Sequence, residues 1–207
     1  MEIDPKDIVE NAAEVAGEVA TTERRARRDR LNAAVAVTVA VLATFMGICK
    51  VKDDNIVQGM QAAQADKLDH WAFYQARTIR QELAEATLVQ LELARLGAPA
   101  SAQGGYDAAI AKYKEEARYQ AQAKLELKAQ AEQDQRTYDA LNYRDDQFDL
   151  SDALLAISIA LLAVTALTQF WALYWLALVP TFFGVVMGIA GLAALPIHPE
   201  LLVKLLS

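Results

Sequence analysis

The sequence predicts an all-α membrane protein with three transmembrane helices and a long antiparallel helical hairpin, coiled-coil-like, between the first and second spans. Two observations predict the spans: residues 31–49 carry no charged side chain, and neither do residues 153–197. A third predicts the hairpin. The block 50–152 is rich in charge and glutamine, keeps a helical period, and is broken once by the Gly- and Pro-bearing stretch 97–105. At 54% hydrophobic and 23% charged, the 207 residues would suit one soluble domain if the two kinds were mixed, but they are sorted into blocks. The net charge of -7 argues against a general affinity for nucleic acid or anionic lipid. The single cysteine, Cys49, excludes an internal disulfide framework.

Residues 1–30 form a cytoplasmic amphipathic helix and an arginine cluster. Asp4-Pro5 supplies a cap and a first-turn proline, and Ile8, Ala12, Val15 and Val19 recur at helical spacing. The opposite face carries Glu10, Glu14 and Glu18, which favours a helical partner over an anionic membrane surface. Arg24, Arg25, Arg27, Arg28 and Arg30 then stand directly before the first span, 31–49. Arginine beside a span resists translocation, so the N-terminus is placed in the cytoplasm and the hairpin outside it. A cleaved signal peptide does not fit, because the thirty-residue leader holds eight acidic groups and the apolar stretch exceeds the usual core. A lipoprotein reading of Cys49 fails on the branched Ile48 before it.

Within 50–152 the hairpin turns at 97–105, giving two arms that each reach roughly 60 Å at about 1.5 Å per residue. Apolar periodicity assigns the seam to Leu68, Ala72, Ile79, Leu83, Ala86 and Leu93 on one arm. On the other it assigns Tyr106, Ile110, Tyr113, Ala117, Ala121 and Leu125. So thin a seam buries little, which predicts a homo-oligomer or a place in a larger membrane complex.

Asp149-Leu150-Ser151-Asp152 reads as the cap of the second span, 153–168. A turn at Thr168–Trp171 leads to the third span, 172–195, which Pro180 should bend. Phe170, Trp171, Tyr174 and Trp175 suit the bilayer interface. Gly184 and Gly188, with Ala36 and Ala40, permit close helix packing. The tail 196–207 reads as a short helix along the membrane surface, from Glu200 to Leu206.

Chemistry finds little purchase. Asp66 and His70 lie one turn apart but are two ligands at most, and His198 is remote from both. Ser101, Ser151, Ser158, Ser207 and Cys49 have no base at motif spacing, and Gly104-Gly105 matches no phosphate-binding pattern. No catalytic, cofactor-binding or metal residue is expected, nor a small-molecule substrate, so the chain is read as a non-enzyme. Its spans lack ionisable groups, which argues against ion or proton transport. The alternative to a scaffold or accessory subunit is a homo-oligomeric channel lined by Thr38, Thr44, Ser158 and Thr165.

The segment 69–80 stands apart. Trp71, Phe73, Tyr74 and Arg77 fall on too many faces of one helix to share a single seam, so some of them are expected to meet a partner. Trp71-Ala72-Phe73-Tyr74-Gln75-Ala76-Arg77, after a first span and before a long helix pair and two closing spans, resembles a bacterial membrane family, domain of unknown function four-three-three-seven. The resemblance covers residues 24–195 by element order. It departs between the closing spans, where relatives carry basic residues and this chain has Gln169-Phe170-Trp171. It implies a bacterial inner membrane and an architecture, with no catalytic residue to transfer.

Overall fold

The computed structural model describes residues 5–197, with side-chain surroundings from residue 15 onward. The expected Asp4 cap, the faces of Ile8 and Ala12, His198 and the 200–206 tail helix lie outside the described residues. Three helices account for almost all of the rest: α1 Pro5–Leu96, α2 Ala100–Thr168 and α3 Trp171–Ala193. There is no strand among the described residues. Each helix contains a stretch long and apolar enough to cross a membrane.

Segments that the sequence separates are continuous here. The leader, the first apolar stretch and the first arm are all α1, since no proline after Pro5 interrupts the ladder before Pro99. The second arm and second apolar stretch are likewise one helix. This corrects the reading of Asp149–Asp152 as a cap: those residues lie inside α2, where no backbone N–H is left over for a cap to satisfy. Ser151 instead donates its hydroxyl to the carbonyl of Gly184 on α3, at 2.8 Å.

The first break is shorter than its composition implies. Gly97 and Ala98 close the end of α1 onto Ala94 and Arg95, and α2 starts directly after Pro99, so residues 100–105 are helical despite two glycines. The second break turns on Gln169 at φ 59, and Leu173 N–H closes back onto the Phe170 carbonyl. Pro180 lies inside α3 and removes one donor from its ladder.

The chain forms two compact units, Met1–Asp54 with Arg144–Ser207, and Asn55–Tyr143. In the first, Leu31, Val35 and Leu42 of α1, Leu155 and Leu162 of α2 and Ala177 of α3 make a buried core. Glycines let α3 approach its neighbours. A Cβ on Gly184 would lie 2.9 Å from Leu155, one on Gly188 2.7 Å from the Phe45 ring, and one on Gly191 2.8 Å from the Phe148 ring. Ala36 and Ala40, expected to share this role, are exposed. The far end of α3 is held by α2: Arg144 donates to the Gly191 carbonyl at 2.9 Å, and Gln147 to Leu195 and Ile197 at 2.9 and 2.6 Å. A cation thus meets a last-turn carbonyl of α3, where the helix dipole favours positive charge, and an amide holds the segment that follows.

In the second unit the contacts between α1 and α2 run in opposite directions along the two helices: Arg95 pairs with Asp107, Arg77 with Gln120, and His70 with Asp134. The facing positions advance by alternating steps of three and four. On α1 they are Ala63, Lys67, His70, Tyr74, Arg77, Gln81, Ala84 and Leu88. On α2 they are Tyr113, Ala117, Gln120, Lys124, Leu127, Ala131, Asp134 and Tyr138.

Candidate functional site

The facing positions of the second unit carry polar chemistry in their middle. Lys67 Nζ donates to Gln135 at 2.8 Å, and His70 Nδ1 lies 2.7 Å from Asp134 Oδ2. Arg77 donates to Gln120 at 3.0 Å while its guanidinium sits 5.5 Å over the Tyr119 ring, and Gln120, almost fully buried, donates in turn to Glu116 at 2.6 Å. Such bonds contribute about 1 kcal/mol each and matter more for register, because a slipped pairing would strand buried donors and acceptors. His70 is therefore paired across to Asp134, and not with Asp66 as a metal clip. Among the described residues no group of three or more His, Cys, Asp or Glu could hold a metal ion.

The apolar seam expected on α1 is on the other side of the helix. Leu68, Ile79, Leu83 and Leu93 are 59%, 65%, 66% and 64% exposed, and Leu96 continues the exposed series. Leu125 of α2 is exposed too, while Tyr106, Ile110, Tyr113 and Ala117 hold their expected seam positions. The reason is the repeat. Contact between two helices selects a 3.5-residue stripe, and on α1 that stripe passes through Lys67, His70, Arg77 and Gln81, so the apolar set about half a turn away is left outside. Its residues, with Ala72 and Ala86, lie on one side of a straight helix. Outward positions of α2 are charged by contrast: Lys112, Glu115, Arg118, Glu126 and Glu132 are all exposed.

Of the aromatic segment, Trp71 and Tyr74 stack edge to face at 5.3 Å and are half-buried, and Arg77 is engaged as described. Phe73 alone of the four points to solvent, 60% exposed. The segment is thus divided between the internal face and the outside.

At the polar edge of the first unit, carboxylates gather. Asp53 is 5% exposed and accepts from Lys50 Nζ at 2.8 Å, with Asp54 also near that ammonium. Burial, then a hydrogen bond to Asp53, then the charge of Asp149 push the Asp145 carboxyl up to about 6. Burial and the charges of Asp53 and Asp146 raise Asp149 as well, while its carboxylate partners hold Lys50 more firmly protonated than usual. A carboxyl-to-carboxylate bond needs a proton between the two acids, and it is Asp145 that burial and its neighbours incline to hold one. Only the density of aspartates near 145–152 hints at this in the sequence; Asp53 gives no sign there.

In the apolar stretches, Thr38, Thr44, Ser158 and Thr165 each donate to the carbonyl four residues back, at 2.8 Å. Thr38 also meets the Tyr174 hydroxyl at 3.1 Å. Arg24, Arg25, Arg27, Arg28 and Arg30 are exposed on α1, and Arg27 and Arg30 line a cavity with Trp171 and Trp175 of α3.

These features define an all-helical protein with three helices long and apolar enough to cross a membrane. Over residues 31–194 the chain matches the family described as a domain of unknown function (DUF4337), and it belongs to that family. No curated protein and no solved structure matches it.

Proposed function

We propose that the chain is a non-enzymatic integral membrane scaffold or accessory subunit that assembles with copies of itself through the outer face of the first hairpin arm. The observation that carries this reading is the exposed stripe Leu68, Ile79, Leu83, Leu93 and Leu96 beside a polar internal seam. Each such side chain offers on the order of 100 Å² of apolar surface. With the neighbouring alanines and Val89, two copies would remove roughly 1,200 Å² from water, the lower bound for a stable specific interface. The stripe also lies in a stretch of nearly balanced charge, Arg77, Arg80 and Arg95 against Asp69, Glu82, Glu85 and Glu92, which would not drive two copies apart.

Membrane insertion is supported by hydropathies of 2.1, 2.2 and 2.1 in the most apolar windows of the three helices, with at most 33% of any window buried within the chain. Val37, Val41, Ile157, Val164, Phe182 and Phe183 are among the large apolar side chains left outside, far more than water tolerates in a soluble monomer. The arginine cluster before residue 31 favours a cytoplasmic N-terminus, and a bacterial inner membrane is part of the same proposal. A homo-oligomeric channel is the less favoured reading, since the four hydroxyls each donate to their own helix backbone, as they would in a span with no pore.

Mass measurement of the full chain in detergent and in native lipid tests the proposal. A dimer or higher multimer is expected, converted to monomer by Ile79→Glu with Leu83→Glu. A wild-type protein that is monomeric in both media would end it, and a foreign chain in stoichiometric amount on this face would replace self-association.

A further inference from the structure

The arginines next to the first apolar stretch have a use beyond orientation. Arg27 and Arg30 are three residues apart on α1 and so share a face. Trp171 and Trp175 are four apart at the start of α3. Together with Glu23 and Ala26 these side chains line a cavity of about 690 Å³, within the range of small-ligand sites.

Among the described residues, neither Arg27 nor Arg30 has an ion pair or a side-chain hydrogen bond. Glu23 is the only acid in the lining. Two unpaired guanidiniums on one wall therefore face two indoles on the other. The walls are fixed just below: Tyr174 bonds Thr38, and Gln169 donates to Asn32 at 2.9 Å, tying the start of α3 to α1. Tyr174 stacks edge to face on both Trp171 and Trp175.

We propose that this cavity binds the phosphate of an anionic membrane phospholipid, an inference that rests on the reading of residues 31–49 as a membrane span. Guanidinium forks match phosphate oxygens in pairs, and tryptophan settles at headgroup depth, so the two walls suit the two halves of one ligand. The overall charge of -7 does not oppose this. Between residues 23 and 30 five arginines face two carboxylates, and the aspartates around Asp53 lie roughly 35 Å further along α1, several screening lengths away.

Full-length protein in nanodiscs of mixed phosphatidylcholine and phosphatidylglycerol provides the test. With Trp71→Phe removing the remote indole, phosphatidylglycerol brominated near its headgroup should quench Trp171 and Trp175 more than the matching phosphatidylcholine does. Arg27→Gln with Arg30→Gln should weaken that preference on the order of tenfold. Arg24→Gln with Arg28→Gln, outside the cavity, should retain it. Equal quenching by both lipids in the parent protein would overturn the proposal without any folding question. So would a preference unaltered by the Arg27 and Arg30 changes, or complete competition by millimolar inorganic phosphate, which would assign the site to a soluble anion. A chain soluble without detergent would instead defeat the membrane reading itself.

Discussion

The two units place their apolar side chains in opposite ways. In the first, leucines and phenylalanines of α1 and α2 press on glycines of α3, and polar groups serve as ties: Ser151 and Arg144 donate to the α3 carbonyls of Gly184 and Gly191, and Gln147 to Leu195 and Ile197 just beyond that helix. In the second, lysine, histidine, arginine and glutamine occupy the inner face of α1 while leucine and isoleucine stand outside. The stripe at 68–96 is the face through which the proposed self-association would cover these exposed side chains. The first unit exposes apolar side chains as well, on helical stretches long and apolar enough to cross a membrane.

Substitutions can break this contrast. The largest effect is expected from Gly188→Leu, which drives a side chain into Phe45 and Ser151. Overpacking of this kind costs about 3 kcal/mol, and thermal unfolding in detergent should fall accordingly, whereas Gly104→Leu, in open space, should leave it close to the parent. Next, Ile79→Glu with Leu83→Glu should weaken association by roughly 2 kcal/mol or more, some thirtyfold, with helicity unchanged in circular dichroism. Loss of helicity in the monomer would mean that the stripe belongs to an internal core after all.

A smaller effect tests the polar seam. Arg77→Ala leaves the buried Gln120 oxygen without its donor, an expected loss of about 1–2 kcal/mol in thermal unfolding. Replacing both partners, Arg77→Met with Gln120→Leu, should recover part of it, since nothing polar is then stranded.

The smallest concerns pH. The Asp145 carboxyl ionises in the fold only near 6 but when unfolded near its ordinary value of 3.8. Between those values the folded state alone keeps the proton, so stability falls as pH rises from about 4 to 6 and stays lower above. Discounted for partial exposure, the effect is on the order of 1 kcal/mol. Asp145→Asn should remove that slope and raise stability at pH 7. An unchanged slope would show that Asp145 is not its source.

Helix content, the two breaks and the apolar stretches were legible in the sequence, because each depends on local facts: a run without charge, a proline at 99, a helical period. Trp171–Tyr174 and the arginine cluster were visible as individual features for the same reason. What escaped was how the parts meet. Continuity of α2 through Asp149–Asp152 was hidden, since capping residues read the same inside a helix as at its start when a distant carbonyl, here that of Gly184, takes the hydroxyl. The face of α1 turned toward α2 was misread as well. Periodicity reports which residues share a side, and where an apolar and a polar stripe compete, only the partner helix decides which one is inside. Composition by itself determined the sorting into lipid-compatible and water-compatible blocks, because transfer between water and hydrocarbon acts on every residue wherever it sits. Tertiary contact alone decided that Lys67, His70 and Arg77 face inward, that Asp53 and Asp145 meet 92 positions apart in the numbering, and that Arg27 and Arg30 stand opposite two indoles. Each of those depends on distances between residues remote along the chain, and these exist only once the helices have packed.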